Sequence, residues 1–297
     1  MELMKRQSFA VFALLVNTAI WGLTFILVKW ATASLDLYYF LFLRFFISSL
    51  VMAAMFYKRL FKMKPKSIGA GCVLGIFLTG VYIFQTVGLQ HTTASNSALI
   101  TGLYMVLIPF CVFFYSGTRP GFLPILGIMF ALVGMFFLTS YSFGGINRGD
   151  VITLGAAIAA SWHIILTGEF ARRHPIIPLV LMQLVLVTVV CAVVAFLRGG
   201  FTLEIPAITW LTLAITSIFA TCFAFLVQTV AQRVVDPTRT GVIFAMEAVF
   251  GALFGWWLGG EVMASIAFFG ACLMVVGMIV SEIHPIAKGL IKDKIVG

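Results

Sequence analysis

Ten apolar stretches of about twenty residues follow one another along the chain, separated by only short polar connections. A helix rises ~1.5 Å per residue and a bilayer's hydrocarbon core is ~30 Å thick, so each stretch is just long enough to cross it. In hydrocarbon every backbone N–H and C=O must be paired internally, and a helix does this within one segment. The spans are expected over residues 9–29, 37–57, 67–88, 93–115, 122–140, 150–170, 175–197, 208–229, 237–257 and 262–283. The expected fold class is all-α integral membrane, with ten transmembrane helices. Charged residues are 10% of the chain, against ~25% in soluble domains, which excludes a soluble core of this size. The longest connections, 58–66 and 141–149, are too short to fold alone.

The net charge of +9 invites a nucleic-acid reading, but its placement argues otherwise. With the N-terminus in the cytoplasm and the chain alternating sides, fifteen of the 19 Lys and Arg fall on the inner side. Only Lys29, Arg148 and Arg198 fall outside, and Arg44 lies within a span. Such a bias predicts a multi-pass inner (plasma) membrane protein with both termini cytoplasmic, facing an anionic leaflet rather than a nucleic acid. The Ala31-Thr32-Ala33 run imitates a signal-cleavage site, but the preceding apolar run is too long for one, so the first span is expected to be retained.

The two halves echo each other. Gln85-Thr86-Val87-Gly88 in the third span is matched by Gln228-Thr229-Val230-Ala231 in the eighth. Trp21 corresponds to Trp162, and Arg44 to Gln183, again at offsets of about half the chain. Five spans per half is an odd number, so the second half enters the membrane from the opposite face. The expectation is two inverted-topology five-helix repeats, residues 1–145 and 146–297, an architecture used for alternating access. Arg44, Gln85, Gln183 and Gln228 would then lie at mirror-related depths, either as gate residues or as helix-end groups reaching headgroups.

Several motifs strengthen this. Asn17-Thr18-Ala19-Ile20-Trp21-Gly22, Leu43-Arg44-Phe45, the stretch from Gly88 through Ala98 to Gly102-Leu103-Tyr104, Trp162, Gln183, Met246-Glu247-Ala248 and Gly260-Glu261 run through nearly the whole chain. Together they resemble the drug/metabolite transporter superfamily, specifically its ten-helix EamA-like permeases. The resemblance implies transport of a small metabolite such as an amino acid or related compound, with efflux favoured over uptake. It also implies a cavity formed by spans one, three, four, six, eight and nine, gates from two and seven, and five and ten packed outside. The chain departs from the family pattern at Ala248, where a proline often stands, which puts a helix break there in doubt.

Glu247 is the sharpest candidate residue. It falls near the middle of the ninth span, where a charge costs at least ~2.5 kcal/mol. A carboxyl there either lines a cavity, binding substrate or exchanging a proton, or makes a helix-packing hydrogen bond. Arg44 would bind a substrate carboxylate or pair with Glu247 or Asp36. Asn17, Trp21, Tyr82, Asn96, Tyr104, Trp162 and His163 complete the expected substrate-binding set, with Thr101 nearby. Trp and Tyr ordinarily favour the interfaces, so central ones suggest a cavity wall able to hold an apolar ring or a cation. His163 alternatively packs as a satisfied histidine; His91, His174 and His284, at span ends, are expected to be solvated.

The remaining signals narrow the class. The chain has no Walker loop, no HExxH and no paired CxxC, so no ATP-driven step, metal or cofactor is expected. The 5 cysteines all fall within spans and read as packing residues. Gly251-x-x-x-Gly255-x-x-x-Gly259 and Gly71-x-x-x-Gly75 allow close helix approach, the former a candidate dimer face; either monomer or homodimer is open. The alternative function, an integral membrane enzyme acting on a lipid or small molecule, would need a catalytic cluster near one interface. Arg172-Arg173-His174 is the nearest, with Glu169 its only acid neighbour.

Overall fold

The structure is a computed structural model of the whole chain. It describes the backbone of residues 2–32, 35–89, 91–92, 94–117, 119–139, 147–202, 204–260 and 263–296; side chains 2–5, 29, 89, 94–96, 98, 139 and 283–296 lie outside the description. Glu261 and the side chains of Asn96 and His284 therefore lie outside the described residues.

Among the described residues the chain is helical throughout: α1 (Glu2–Thr32), α2 (Leu37–Met55), the short α3 (Tyr57–Leu60), α4 (Pro65–Leu89), α5 (Ala94–Gly102), α6 (Tyr104–Ser116) and α7 (Phe122–Thr139). Then come α8 (Arg148–Arg173), α9 (Ile176–Leu197), α10 (Ala207–Ser217), a π-helical segment (Ile218–Phe223), α11 (Ala224–Ala231), α12 (Pro237–Gly259) and α13 (Ser265–Val296). Among the described residues nine helical segments are long and apolar enough to cross a bilayer, and Phe122–Leu138 is a shorter apolar helix. Phe114, Leu197 and Trp257 are 82%, 77% and 71% exposed. In water such a belt would drive aggregation; in lipid it is the solvated surface.

Polar residues set the helix ends. Asp36 caps α2 by accepting from the N–H groups of Tyr38 and Tyr39, both at 3.0 Å. Asn147 and Asp150 form a capping box at the start of α8, and Asp236 caps α12 with Pro237 at its first turn. Gly117 and Gly260 end α6 and α12 in the left-handed conformation that costs glycine least. α12 runs unbroken through Ala248, so without proline the ninth span keeps its ladder.

Two expected single helices are instead interrupted. The stretch predicted over 93–115 breaks at Leu103 between α5 and α6. The stretch predicted over 208–229 carries the π segment between α10 and α11. Neither is marked by an internal proline at the interruption; Pro109 lies further along, inside α6.

α7 and α13 pack backbone against backbone. A Cβ built on Gly127 would stand 2.5 Å from the Gly277 carbonyl oxygen, and one on Gly134 would stand 2.6 Å from that of Gly270. As the number rises in one helix it falls in the other, so the two run antiparallel with their backbones touching. α4 lies on α9 through Gly71 and Gly75, as their spacing suggested, against Met182, Pro178, Gln183 and Leu186. Gly251 is used within the molecule: it meets Phe25 and the Gly22 carbonyl of α1. That position of the candidate dimer face is therefore an intramolecular contact, taken up because Gly22 and Gly251 let α1 and α12 close on each other.

The glycine seam yields a direct test. Gly134→Leu forces a side chain into backbone atoms and is expected to cost on the order of 1–3 kcal/mol, seen as a lower Tm of the detergent-solubilised protein. Gly69→Ala, where a Cβ meets nothing within 4 Å, leaves Tm at or above wild type.

Candidate functional site

The interruption in the eighth span is where the polar residues converge. In the π segment the Ala224 N–H bonds Phe219 O and Thr221 O rather than Ala220 O, its α-helical acceptor. The Ala220 carbonyl instead accepts from Trp21 Nε1 at 2.8 Å and from Arg44 Nη2 at 3.3 Å. Arg44 Nε donates to Thr221 Oγ1 at 2.7 Å, and Thr221 in turn donates to Thr216 O at 2.9 Å. One turn along α2, the Ser48 hydroxyl lies 2.8 Å from Ser217 O. Side chains of α1 and α2 thus bind the backbone of the eighth span directly. A planar guanidinium suits this role, since it offers two N–H groups at a fixed angle.

Glu247 of α12 lies within electrostatic reach of Arg44, Tyr82 and Tyr104. Tyr82, Tyr104 and Glu247 are each half-buried. Trp21 is likewise half-buried, with its ring against Phe225 (5.8 Å between centroids) and edge-on to Phe244 (5.0 Å). Tyr82 stands edge-on to Phe45 at 5.0 Å. A guanidinium anchored to the π segment and a carboxyl within its electrostatic reach thus share one region with several aromatic rings.

His163 and Gln183 adjoin this cluster. A 2.8 Å hydrogen bond joins His163 Nε2 to Gln183 Oε1, and the imidazole stands edge-on to Phe225 at 6.1 Å. Phe225 thus touches both Trp21 and His163. Gln228 donates to Gln232 Oε1 at 3.1 Å, and Gln232 donates to Ile164 O at 2.9 Å. Asn17 is buried one turn from Trp21, with no partner for its Nδ2 among the described residues.

Other expected site residues fall elsewhere. Trp162 stacks on Phe77 and meets exposed Tyr115 edge-on, apart from the cluster. It follows directly before His163, and successive residues on a helix point about 100° apart, so the two face different neighbours. Gln85 is half-buried on α4 and makes none of the contacts just described. Asp36 serves as a helix cap rather than as a partner of Arg44. Arg239, one of the basic residues counted on the inner side, is 6% exposed and pairs bidentately with Glu282 of α13. His174 is not simply solvated either: its Nδ1 lies 3.1 Å from Ser67 Oγ. A further groove of about 400 Å3, lined by Leu253, Trp256, Met263, Ser265 and Phe268, is formed by apolar side chains and one hydroxyl, none of them in the cluster.

The sequence patterns of both halves match one family. The EamA-like transporter family matches twice, over residues 8–140 and 147–282. The chain belongs to the EamA-like transporter family. It is 32% identical over 280 residues to an uncharacterized transporter of Archaeoglobus fulgidus, covering 94% of this chain and 87% of that protein. A solved structure described only as the crystal structure of a protein shares the fold with a TM-score of 0.80 at 19% identity, covering 92% of this chain and 97% of that one. The chain is thus a multi-pass membrane protein of a transporter family within the drug/metabolite superfamily, not of an enzyme family.

The residues most active in this site, Thr221 and the Ala220 carbonyl, were absent from the sequence-based set. A threonine mid-span is too common to single out, and a carbonyl freed by a π segment leaves no residue-type signature. Their importance is measurable. Arg44→Gln removes hydrogen bonds of a charged donor, each worth about 1.5–3 kcal/mol, and is expected to lower Tm clearly. Thr221→Ser, which keeps the acceptor, stays near wild type, whereas Thr221→Val follows Arg44→Gln.

Proposed function

We propose that this protein is a secondary transporter of a small metabolite, such as an amino acid or related compound, working by alternating access and exporting its substrate. The observation that carries this reading is the half-buried carboxyl of Glu247 within electrostatic reach of the anchored Arg44, with Trp21, Tyr82 and Tyr104 around them. Charged groups at membrane depth are expensive and are kept where a cavity or a partner repays them. A site of both charge signs with aromatic walls suits a small polar molecule carrying an apolar or cationic part.

In this reading the chain forms ten spans in two inverted five-helix repeats, residues 1–145 and 146–297, in the plasma membrane with both termini cytoplasmic. The shorter helix α7 is the fifth span. Two pairings support the repeat. Ser49 on α2 and Thr188 on α9, separated by 139 positions, lie 3.5 Å apart across the helices, as residue and repeat-mate do beside a local twofold axis. Arg44 and Gln183 are related by the same offset, since 183 exceeds 44 by 139. In the α7–α13 seam, 270 exceeds 127 and 277 exceeds 134 by the same 143, so the offset exchanges the two glycine contacts.

Movement would come from rocking of the two halves about this axis. Arg44 is the link most exposed to that motion, because it ties α2 of the first half to the π segment of the second. Glu247 has no hydrogen bond or ion pair among the described contacts, which leaves its carboxyl available to substrate and to a proton.

The test is flux in proteoliposomes preloaded with a mixed amino-acid and metabolite pool, read by mass spectrometry with and without a pH gradient. Wild-type protein is expected to deplete one compound class, faster with the gradient. Glu247→Gln is expected to abolish gradient-driven flux, by tenfold or more for a lost charged contact of about 1.5–3 kcal/mol. Gradient-driven flux equal to wild type would remove Glu247 from coupling, and no protein-dependent flux of any compound would count against the transporter reading.

A further inference from the structure

Where α8, α9 and α11 meet, five polar side chains are almost wholly withdrawn from solvent: His163 (4% exposed), Thr167 (0%), Gln183 (0%), Gln228 (1%) and Gln232 (0%). Their hydrogen bonds run in a chain. Gln183 is joined to His163, the next residue's carbonyl at Ile164 accepts from Gln232, and Gln232 accepts from Gln228. The chain stops short of closing. Gln183 Nε2 at one end, Gln228 Oε1 at the other, and Thr167 Oγ1 one turn along α8 from His163 have no hydrogen-bond partner among the described residues.

The unfilled groups are chemically complementary. An amide NH2 only donates, an amide oxygen only accepts, and a hydroxyl does either. Leaving three such groups buried and bare costs about 1–3 kcal/mol each, more than a marginally stable protein tolerates without return. Gln183 and Gln228 make no direct bond, so a molecule joining the two would accept from one and donate to the other. A water molecule does both, and buried waters typically make about three hydrogen bonds to otherwise unsatisfied groups. Reversing the Gln183 amide, with Nε2 then donating to the imidazole, presents an oxygen in its place, and a water donates to that equally well.

We infer that a bound water closes this ring, held by Gln183, Gln228 and Thr167 at the α8–α9–α11 junction. The ring then fixes the depth and rotation of α11 against α8 and α9, immediately after the π segment that receives Trp21 and Arg44. His163 is in this view a member of the ring that positions α11, and reaches the central cluster only through Phe225.

A double-mutant cycle on the full chain reads the bridge without any assay of transport. Thr167→Val and Gln228→Leu are compared singly and together by thermal unfolding in detergent, with Thr167→Ser as the conservative control. A shared water predicts that each single change lowers Tm by about 2–4 °C, that Thr167→Ser does not, and that the double variant falls by less than the sum. Single changes that leave Tm unchanged or raise it, adding in the double variant, would show the groups to be merely bare and overturn the inference. Exchanging sodium for choline should leave Tm unmoved; stabilisation by sodium alone, lost in Gln228→Leu, would put a cation in the place of the water and equally overturn it. Should Gln228→Leu fail to accumulate, Gln183→Met takes its place in the cycle with the same two readings.

Discussion

The Ala220 carbonyl is the point on which the centre of this molecule turns. Hydrocarbon offers no water to a backbone group released from its helix, so a π segment survives there only if something inside the protein accepts or donates in its place. Trp21 and Arg44 do so from two other helices. The deviation and the two side-chain bonds meet at one carbonyl. Three helices are thereby tied to one another by polar bonds in a protein whose remaining contacts are mostly apolar.

That arrangement also settles how a guanidinium is tolerated at such a depth. Arg44 is buried, spends its Nε on Thr221, and lies 5.9 Å from the Phe45 ring centroid. Glu247 lies within its electrostatic reach, with no direct bond between the two among the described residues. A fully paired buried ion couple is inert; a couple held apart within electrostatic reach keeps a field in the space between.

Much of the fold was legible because lipid solvation writes on composition and length. Among the described residues nine of the expected stretches hold helical segments long and apolar enough to cross a bilayer and the fifth a shorter apolar helix, and the caps at Asp36, Asn147 and Asp236 sit at boundaries their residue types announce. The close packing at Gly71 and Gly75 also followed from spacing, and the helix break put in doubt by Ala248 is absent from α12. Of the expected site residues, Trp21, Arg44, Tyr82, Tyr104 and Glu247 are brought together. They were found because polar and aromatic side chains at mid-span depth are costly or out of place, and cost is visible in sequence. Trp162 was grouped with them by its match to Trp21, but its helix turns it toward Phe77 and Tyr115 instead.

Sequence by itself thus determined that this chain lives in a membrane, how many apolar segments it has and which few polar residues lie deep within them, because each of these depends only on local transfer energies and helix geometry. Tertiary structure alone decided which of those residues meet. The break at Leu103, the π segment after Ser217 and the Gly127–Gly277 and Gly134–Gly270 contacts all depend on what a distant helix presents at the same depth. A carbonyl becomes a binding partner only when its own helix gives it up and another helix claims it, and no local pattern of residues encodes that exchange.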